Sequence, residues 1–348
     1  MASFASSSSS RQPLSVRSLV IALALAGLAG CTAPRAVAPA FIHGPYKDLT
    51  IAMDRDTGVI ATRVGGQLVP VVEMLSRGST LSWAFATGEC GRETLGGLDA
   101  QKVADANVAS FVRAGVDYIV STGGEGAVFI CDSEAGMEAF IARYASPRLV
   151  GIDFDIESRQ TPAIVDALVR QAAAAQRRHP ELRFSFTLAT LAAADGSRNG
   201  LNAQGRGVLE AIRKHGLTRY TINLMVMDYG APVAANCVVA PDGHACDMGA
   251  SAIQAADNLR AVHGVPVAQI ALTAMIGVND VAGNDFTPAD AERLARHARE
   301  RGFAGVHFWA MDRDTPCPRP AQGASPLCSG LEAVPAMAYV RAFERGLR

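Results

Sequence analysis

Aromatic residues are only 6% of this 348-residue chain, and just two of them are tryptophan, Trp83 and Trp309. A long row of stacking platforms cannot be built from so few rings. Charge is scarce as well, at 19% of residues with a net charge of -1. A nucleic-acid partner is therefore not expected, since it calls for a basic stripe or patch. No C-x-x-C pair or Cys/His cluster occurs, so no metal site is expected. No G-x-G-x-x-G follows an apolar run, which removes the usual argument for a dinucleotide, and no cofactor is expected. The apolar run Leu19–Leu28 is too short for a comfortable spanning helix.

That run follows Arg11 and Arg17 and has the layout of an export signal. It ends in Leu28-Ala29-Gly30-Cys31, which resembles a bacterial lipobox, where cleavage precedes a cysteine that becomes lipidated. The expected organisation is a signal over residues 1–30, a Pro/Ala-rich tether over 31–44 and one folded unit over 45–348. The expected location is a bacterial cell envelope, with the chain held by the lipid on Cys31 or secreted. Thr32 follows Cys31, so the outer membrane is the expected destination where the host has one. Removing Cys31 from the seven cysteines leaves six, an even number suited to disulfides in an oxidising compartment.

Beyond the tether, short apolar runs alternate with helical patterns. Strands are predicted at Leu49–Met53, Leu81–Thr87, Tyr118–Gly123, Leu149–Glu157, Phe184–Thr190, Tyr220–Asp228, Ile270–Ile276 and Gly305–Met311. Helices are predicted at Gln101–Ala114, Glu134–Tyr144, Pro162–Arg178, Val208–Lys214, Ile253–His263 and Pro288–Arg301. This alternation predicts an α/β fold, a single-domain (β/α)8 TIM barrel, with an open doubly wound sheet as the alternative. Topology then pairs Cys90 with Cys131, across loops that follow neighbouring strands. Cys237–Cys246 and Cys317–Cys328 would each close a loop within one connection.

In the fourth strand, "GIDFDIE", Asp153, Asp155 and Glu157 occupy alternate positions. In a strand that places all three carboxylates on one face and Ile152, Phe154 and Ile156 on the other. Like charges this close raise one another's pKa, and burial adds to the effect. Such a cost suggests a site that uses it. A divalent cation or a purely structural role is the plainer alternative. Other polar groups gather at the same strand ends: Ser121, Gly123 and Gly124 after the third strand, Asp228 and Tyr229 after the sixth, Asn279 after the seventh and Trp309 on the eighth.

"STGG" followed by "GIDFDIE" resembles the S-x-G-G and D-G-x-D-x-D-x-E motifs of glycoside hydrolase family 18, the chitinases and their relatives. "NLMVMDYG" is similar to the family's M-x-Y-D motif, "GVHFWAMDRD" to its eighth strand, and "TAMIGVND" to the bacterial chitinase-like subgroup. The resemblance spans about residues 45–345. It implies an enzyme that cleaves β-linked N-acetylglucosamine glycans, endo-acting at β-1,4 bonds, in which the sugar's own acetamido group is the nucleophile. It further implies Glu157 as acid/base, Asp155 as partner of the acetamido group and Asp153 as its support, sharing a proton with Asp155. Asp228 and Tyr229 would contact the acetamido group beside Met225 and Met227, with Ser121, Gly123, Gly124 and Asn279 at the site and Trp309 beneath the sugar. Two positions depart from the motifs. Val150 replaces the first Asp, and Met227 stands where the family has a tyrosine hydroxyl. The latter leaves a catalytically silent, lectin-like glycan binder as the alternative. The expected partner is an N-acetylglucosamine-containing glycan, and a monomer is the expected state.

Overall fold

The computed structural model describes residue 1, residues 41–319 and residues 322–348. The signal, most of the tether and Cys31 lie outside the described residues.

Eight parallel strands close into a barrel: β1 (Ile42–Asp48), β2 (Thr80–Glu89), β3 (Asp117–Gly123), β4 (Leu149–Ile156), β5 (Arg183–Ala189), β6 (Tyr220–Met225), β7 (Ile270–Met275) and β8 (Gly305–Trp309). Each pairs with the next, and β1 pairs with both β2 and β8, so no edge is left open. Among the described residues seven helices pack around it: α1 (Ala100–Ala114), α2 (Glu134–Tyr144), α3 (Pro162–Arg178), α4 (Ala203–His215), α5 (Met248–His263), α6 (Pro288–Arg301) and α7 (Ala338–Gly346). The predicted TIM barrel is the observed fold.

The first strand differs from expectation. Leu49–Met53 forms a turn and bend, and β1 lies just before it, starting inside the segment assigned to the tether. Ile42–Asp48 reads poorly as a strand because it contains Gly44, Pro45 and a lysine. Tertiary contacts reverse that reading. A Cβ at Gly44 would sit 1.8 Å from the carbonyl oxygen of Thr80, so only glycine lets β1 approach β2 there. Lys47 points outward but is fully buried, its ammonium 2.7 Å from Asp312 and also bonded to the carbonyl of Asp48. Burial pulls its pKa down, and the Asp312 carboxylate opposes that. Breaking such a pair by removing one partner leaves an uncompensated buried charge.

Two helices start earlier than predicted, α4 at Ala203 behind an Asn202 cap and α5 at Met248 behind an Asp247 cap. Gly205, Gly207 and Gly249 weaken the helical pattern there, yet a capping side chain satisfies an orphan N–H in each first turn. Helix α7 was not anticipated.

The outward faces of the central strands form the core against the helices. Phe154 of β4 lies 5.3 Å from Phe186 and 6.3 Å from Phe184, ring centre to ring centre. Trp83 also faces outward and stacks on Tyr118 at 4.5 Å. The three expected disulfides are all present, with Cα separations of 5.1 Å (Cys90–Cys131), 5.9 Å (Cys237–Cys246) and 5.0 Å (Cys317–Cys328). They tie down loops at the end of β2, after β6 and after β8.

Candidate active site

The pleat of β4 turns Asp153 and Asp155 into the barrel, with Glu157 just beyond the last strand residue at its C-terminal mouth. Pairing register decides what surrounds each. Ser121 of β3 and Ser185 of β5 lie level with Asp153, and Thr187 lies level with Asp155.

Asp153 is the deepest of the three and the best solvated by protein. Its Oδ2 accepts from Ser121 at 2.7 Å and Tyr46 at 3.0 Å, while Oδ1 accepts from Ser185 at 2.6 Å and Thr187 at 2.8 Å. Asn223 fixes the direction of two of these bonds. Its amide nitrogen donates to the hydroxyl oxygens of Tyr46 and Thr187 at 3.0 and 2.8 Å, and its carbonyl accepts from Thr273. With the amide protons placed there, the hydroxyl protons of Tyr46 and Thr187 turn toward Asp153. Burial raises the pKa of Asp153, and the hydroxyls act against it. Four donors favour an ionised carboxylate.

Asp155 is the opposite case. It is 4% exposed, and its buried Oδ1 has no hydrogen-bond partner. Burial, then the charge of Glu157, then that of Asp153 hold its pKa well above the ordinary value. Both Asp153 oxygens are occupied by hydroxyls, so the proton sharing expected between Asp153 and Asp155 would compete with those four bonds. Glu157 is half-buried, and its pKa is pushed up to about 7 by burial and then by Glu125. The charge of Glu157 makes the Asp155 proton harder to lose, so the two titrate together rather than singly. Gln160 donates to the backbone carbonyl of Asp155 at 2.7 Å, and Gln204 of α4 donates to that of Glu157, so the end of the strand is anchored from two sides.

These acids open into a cleft of about 970 Å³. Asp155, Glu157, Gly123, Met225, Met227, Asp228 and Trp309 all line it. Trp309 stacks on Phe85 with ring centres 5.5 Å apart, so one face of the indole is braced. Asp228 sits in the left-handed region, with φ of 48°, and its Oδ1 accepts from the Val281 N–H. Burial raises its pKa.

Four expected contact residues do not reach the cleft. Ser121 is spent on Asp153. Gly124 sits behind the wall, where a Cβ would lie 2.7 Å from the Phe85 ring. Gly123 does line the cleft, and its role is close approach: a Cβ there would meet the Asp155 carbonyl at 2.2 Å. Asn279 is buried and holds the loop after β7, donating to the carbonyls of Met275 and Gly277 and accepting from the Asp228 N–H. Tyr229 is the largest departure. It is 1% exposed and absent from the cleft lining, and its hydroxyl has no partner. The strand alternation that placed it beside Met225 and Met227 stops at Met225, and the turn at Asp228 sends the ring into the protein. Tyr229→Phe should therefore leave kcat and KM within about 2-fold and leave thermal stability equal or slightly raised. Losing an unsatisfied buried hydroxyl is close to neutral or favourable. A large fall in kcat would mean that the hydroxyl reaches the cleft after all.

No family model matches the chain. Over 301 residues, 81% of the chain, it is 23% identical to Endochitinase 11 of Metarhizium anisopliae. Over 311 residues it is 23% identical to the probable bifunctional chitinase/lysozyme of Escherichia coli (strain K12). The alignments span 54% of the first protein and 32% of the second, so this chain matches about half and a third of those curated relatives. Its fold is similar to the catalytic domain of a hyperthermophilic chitinase from Pyrococcus furiosus, with a TM-score of 0.66 and 25% identity, covering 89% of this chain and 96% of that one. The three proteins just described carry chitinase in their names. The sequence and fold likenesses point to the same kind of protein.

Several site residues escaped the sequence reading. Tyr46 was lost with the misplaced first strand. Ser185 and Thr187 carried a usable signal, because "FSFT" alternates apolar and hydroxyl positions as "IDFD" does one strand earlier. Asn223, Gln204 and Glu125 carried none that single-sequence patterning reads.

Proposed function

We propose that this chain is an exported glycosidase that cleaves β-1,4-linked N-acetylglucosamine glycans from within, by a substrate-assisted retaining route. The observation that carries the reading is the graded set on β4: a solvated Asp153, an unpartnered Asp155 and a Glu157 with its pKa near 7 at the cleft. Family 18 enzymes depart from the usual two-carboxylate scheme by using the substrate itself. In the proposed step the acetamido oxygen bonds to the anomeric carbon as the glycosidic C–O bond breaks. The Glu157 proton passes to the leaving oxygen. Asp155 accepts the acetamido N–H and offsets the positive charge of the oxazolinium ring. Glu157, now ionised, takes a proton from water, which opens the ring on the same face the leaving group left.

Asp153 acts through Asp155, as a fixed negative charge that keeps the proton with the Asp155–Glu157 pair. Met225 and Met227 would give the acetamido methyl an apolar wall, and Asp228, which lines the same cleft and has a raised pKa, would hydrogen-bond the acetamido oxygen. That arrangement compensates for the hydroxyl missing at Met227. A silent binder would leave the raised pKa of Glu157 without a use. Incubation with chitooligosaccharides of increasing length, followed by mass spectrometry, tests the assignment. Products differing by whole N-acetylglucosamine units support it, and intact oligomers after prolonged incubation refute it.

Export and anchoring rest on the Leu28–Cys31 signature and on three disulfides, which persist in oxidising compartments. A single acyl chain anchors only marginally, so lipid at Cys31 would need more than one chain to hold the protein firmly. The mature protein should partition into detergent, and Cys31→Ser should move it to the aqueous phase. A mature N-terminus beyond Cys31, free of lipid, would rule the anchor out.

A further inference from the structure

The cleft wall has a charge of one sign. Among the described residues six carboxylates line it, Asp48, Glu125, Asp155, Glu157, Asp228 and Asp280, and no Lys, Arg or His does. Asp155 and Glu157 belong to the proposed chemistry. Asp48 accepts from the backbone and hydroxyl of Thr50, and Asp228 accepts from the Val281 N–H. Glu125 and Asp280 are exposed, and neither carboxylate has an ion-pair or side-chain hydrogen-bond partner among the described residues. The cations near the rim offset only part of this field. Arg55 keeps its charge beside the carbonyls of Gly96 and Gly97, and buried Arg313 acts on Asp228 and Asp280 from behind the wall, but neither lines the cleft, and Arg159 and Arg198 lie outside the lining as well. Buried Lys47 is bonded to Asp312 and does not line the cleft. At the floor, the unpartnered Oδ1 of Asp155 marks this wall as one that receives a polar ligand.

We propose that Glu125 and Asp280, with Asp48, make this cleft selective for partly N-deacetylated, cationic glycans and turn away anionic muramyl glycans. The proposal rests on the glycosidase reading for the sugar class and adds the charge of the units that flank the reacting one. The reacting sugar still needs its acetamido group, so N-acetylglucosamine occupies the site over Trp309. Glucosamine ammonium groups on either side meet free carboxylates. A lactyl carboxylate on a neighbouring unit meets the same groups and is repelled. Exposed ion pairs are worth about 1.5- to 5-fold each in affinity, so two acting together amount to roughly 2- to 25-fold. Salt weakens exposed pairs of this kind, since the screening length falls from about 30 Å at 0.01 M to about 3 Å at 1 M.

The test is titration calorimetry with the Glu157→Gln protein, which reads binding whether or not a bond can be cut. The probes are a fully acetylated chitopentaose, a pentaose with one N-acetylated unit, and a peptide-free muramic acid-containing oligomer of similar length. The pH is one at which glucosamine is protonated and exposed carboxylates are ionised. The cationic pentaose should bind about 2- to 25-fold tighter than the neutral one, and the muramyl oligomer should bind more weakly than either. The cationic preference should shrink toward unity at high salt and fall at least 2-fold on adding Glu125→Gln. Equal binding of the cationic and neutral probes overturns the proposal, as does muramyl binding as tight as the neutral probe or a preference that Glu125→Gln leaves unchanged. Turnover of the neutral pentaose by the wild type is read separately. Its absence would defeat the glycosidase reading and leave the charge selection to be judged by the binding ratios alone.

Discussion

Glu157→Gln should lower kcat on a soluble chitooligosaccharide by about 10²- to 10⁴-fold, the usual contribution of a positioned acid–base group. Glutamine keeps the shape of the side chain and its anchorage through the backbone carbonyl bonded by Gln204. What it lacks is a proton to give to the leaving oxygen. Because that loss is felt in the transition state, kcat and kcat/KM should fall together while KM changes little. The wild-type pH profile should carry the same signature. Glu157 must be protonated for the first step, and its pKa lies near 7. Activity should therefore decline as pH rises through about 7. Since Glu125 adds to the upward shift, Glu125→Gln should move that limb to lower pH. A Glu157→Gln enzyme with near-wild-type turnover would remove Glu157 from the chemistry.

Removing the N-acetyl group from the substrate should be as severe. A fully deacetylated oligomer should bind in the acidic cleft but not be cut, because in the proposed route the attacking atom is the acetamido oxygen. Proximity supplies the rate here, since an oriented neighbouring group acts as though present at about 10⁵–10⁸ M. Without it, the only nucleophile available to Glu157 and Asp155 is water at ordinary concentration. In partly acetylated chains every new reducing end should be an N-acetylated unit. A thiazoline mimic of the ring should inhibit competitively. New reducing ends that carry free amines would show that the protein, not the substrate, supplies the nucleophile.

Seven of the eight barrel strands were legible because their apolar runs are long enough to be buried on both faces. Asp153, Asp155 and Glu157 stood out for the opposite reason, as charges breaking such a run at every second position. What stayed hidden depends on contacts between distant segments. Ile42–Asp48 is a strand only because Gly44 fits against Thr80 and Lys47 meets Asp312, some 265 positions away. With that strand unread, Tyr46 could not be placed on Asp153. Tyr229 shows the limit of periodicity in another way. Two-residue alternation holds only while the backbone stays extended, and the turn at Asp228 ends it. Four of the candidate contact residues proved to be support for the site, which motif position alone does not distinguish from contact.

The central claim is that the anomeric carbon is attacked twice on a path that preserves its configuration, first by the substrate's own acetamido oxygen and then by water. Proton NMR during the first minutes of hydrolysis of a chitooligosaccharide, before mutarotation, reads the configuration of the new reducing end directly. The account predicts that the β-anomer appears first. An initial α-anomer would mean single inverting attack by water, and would contradict it.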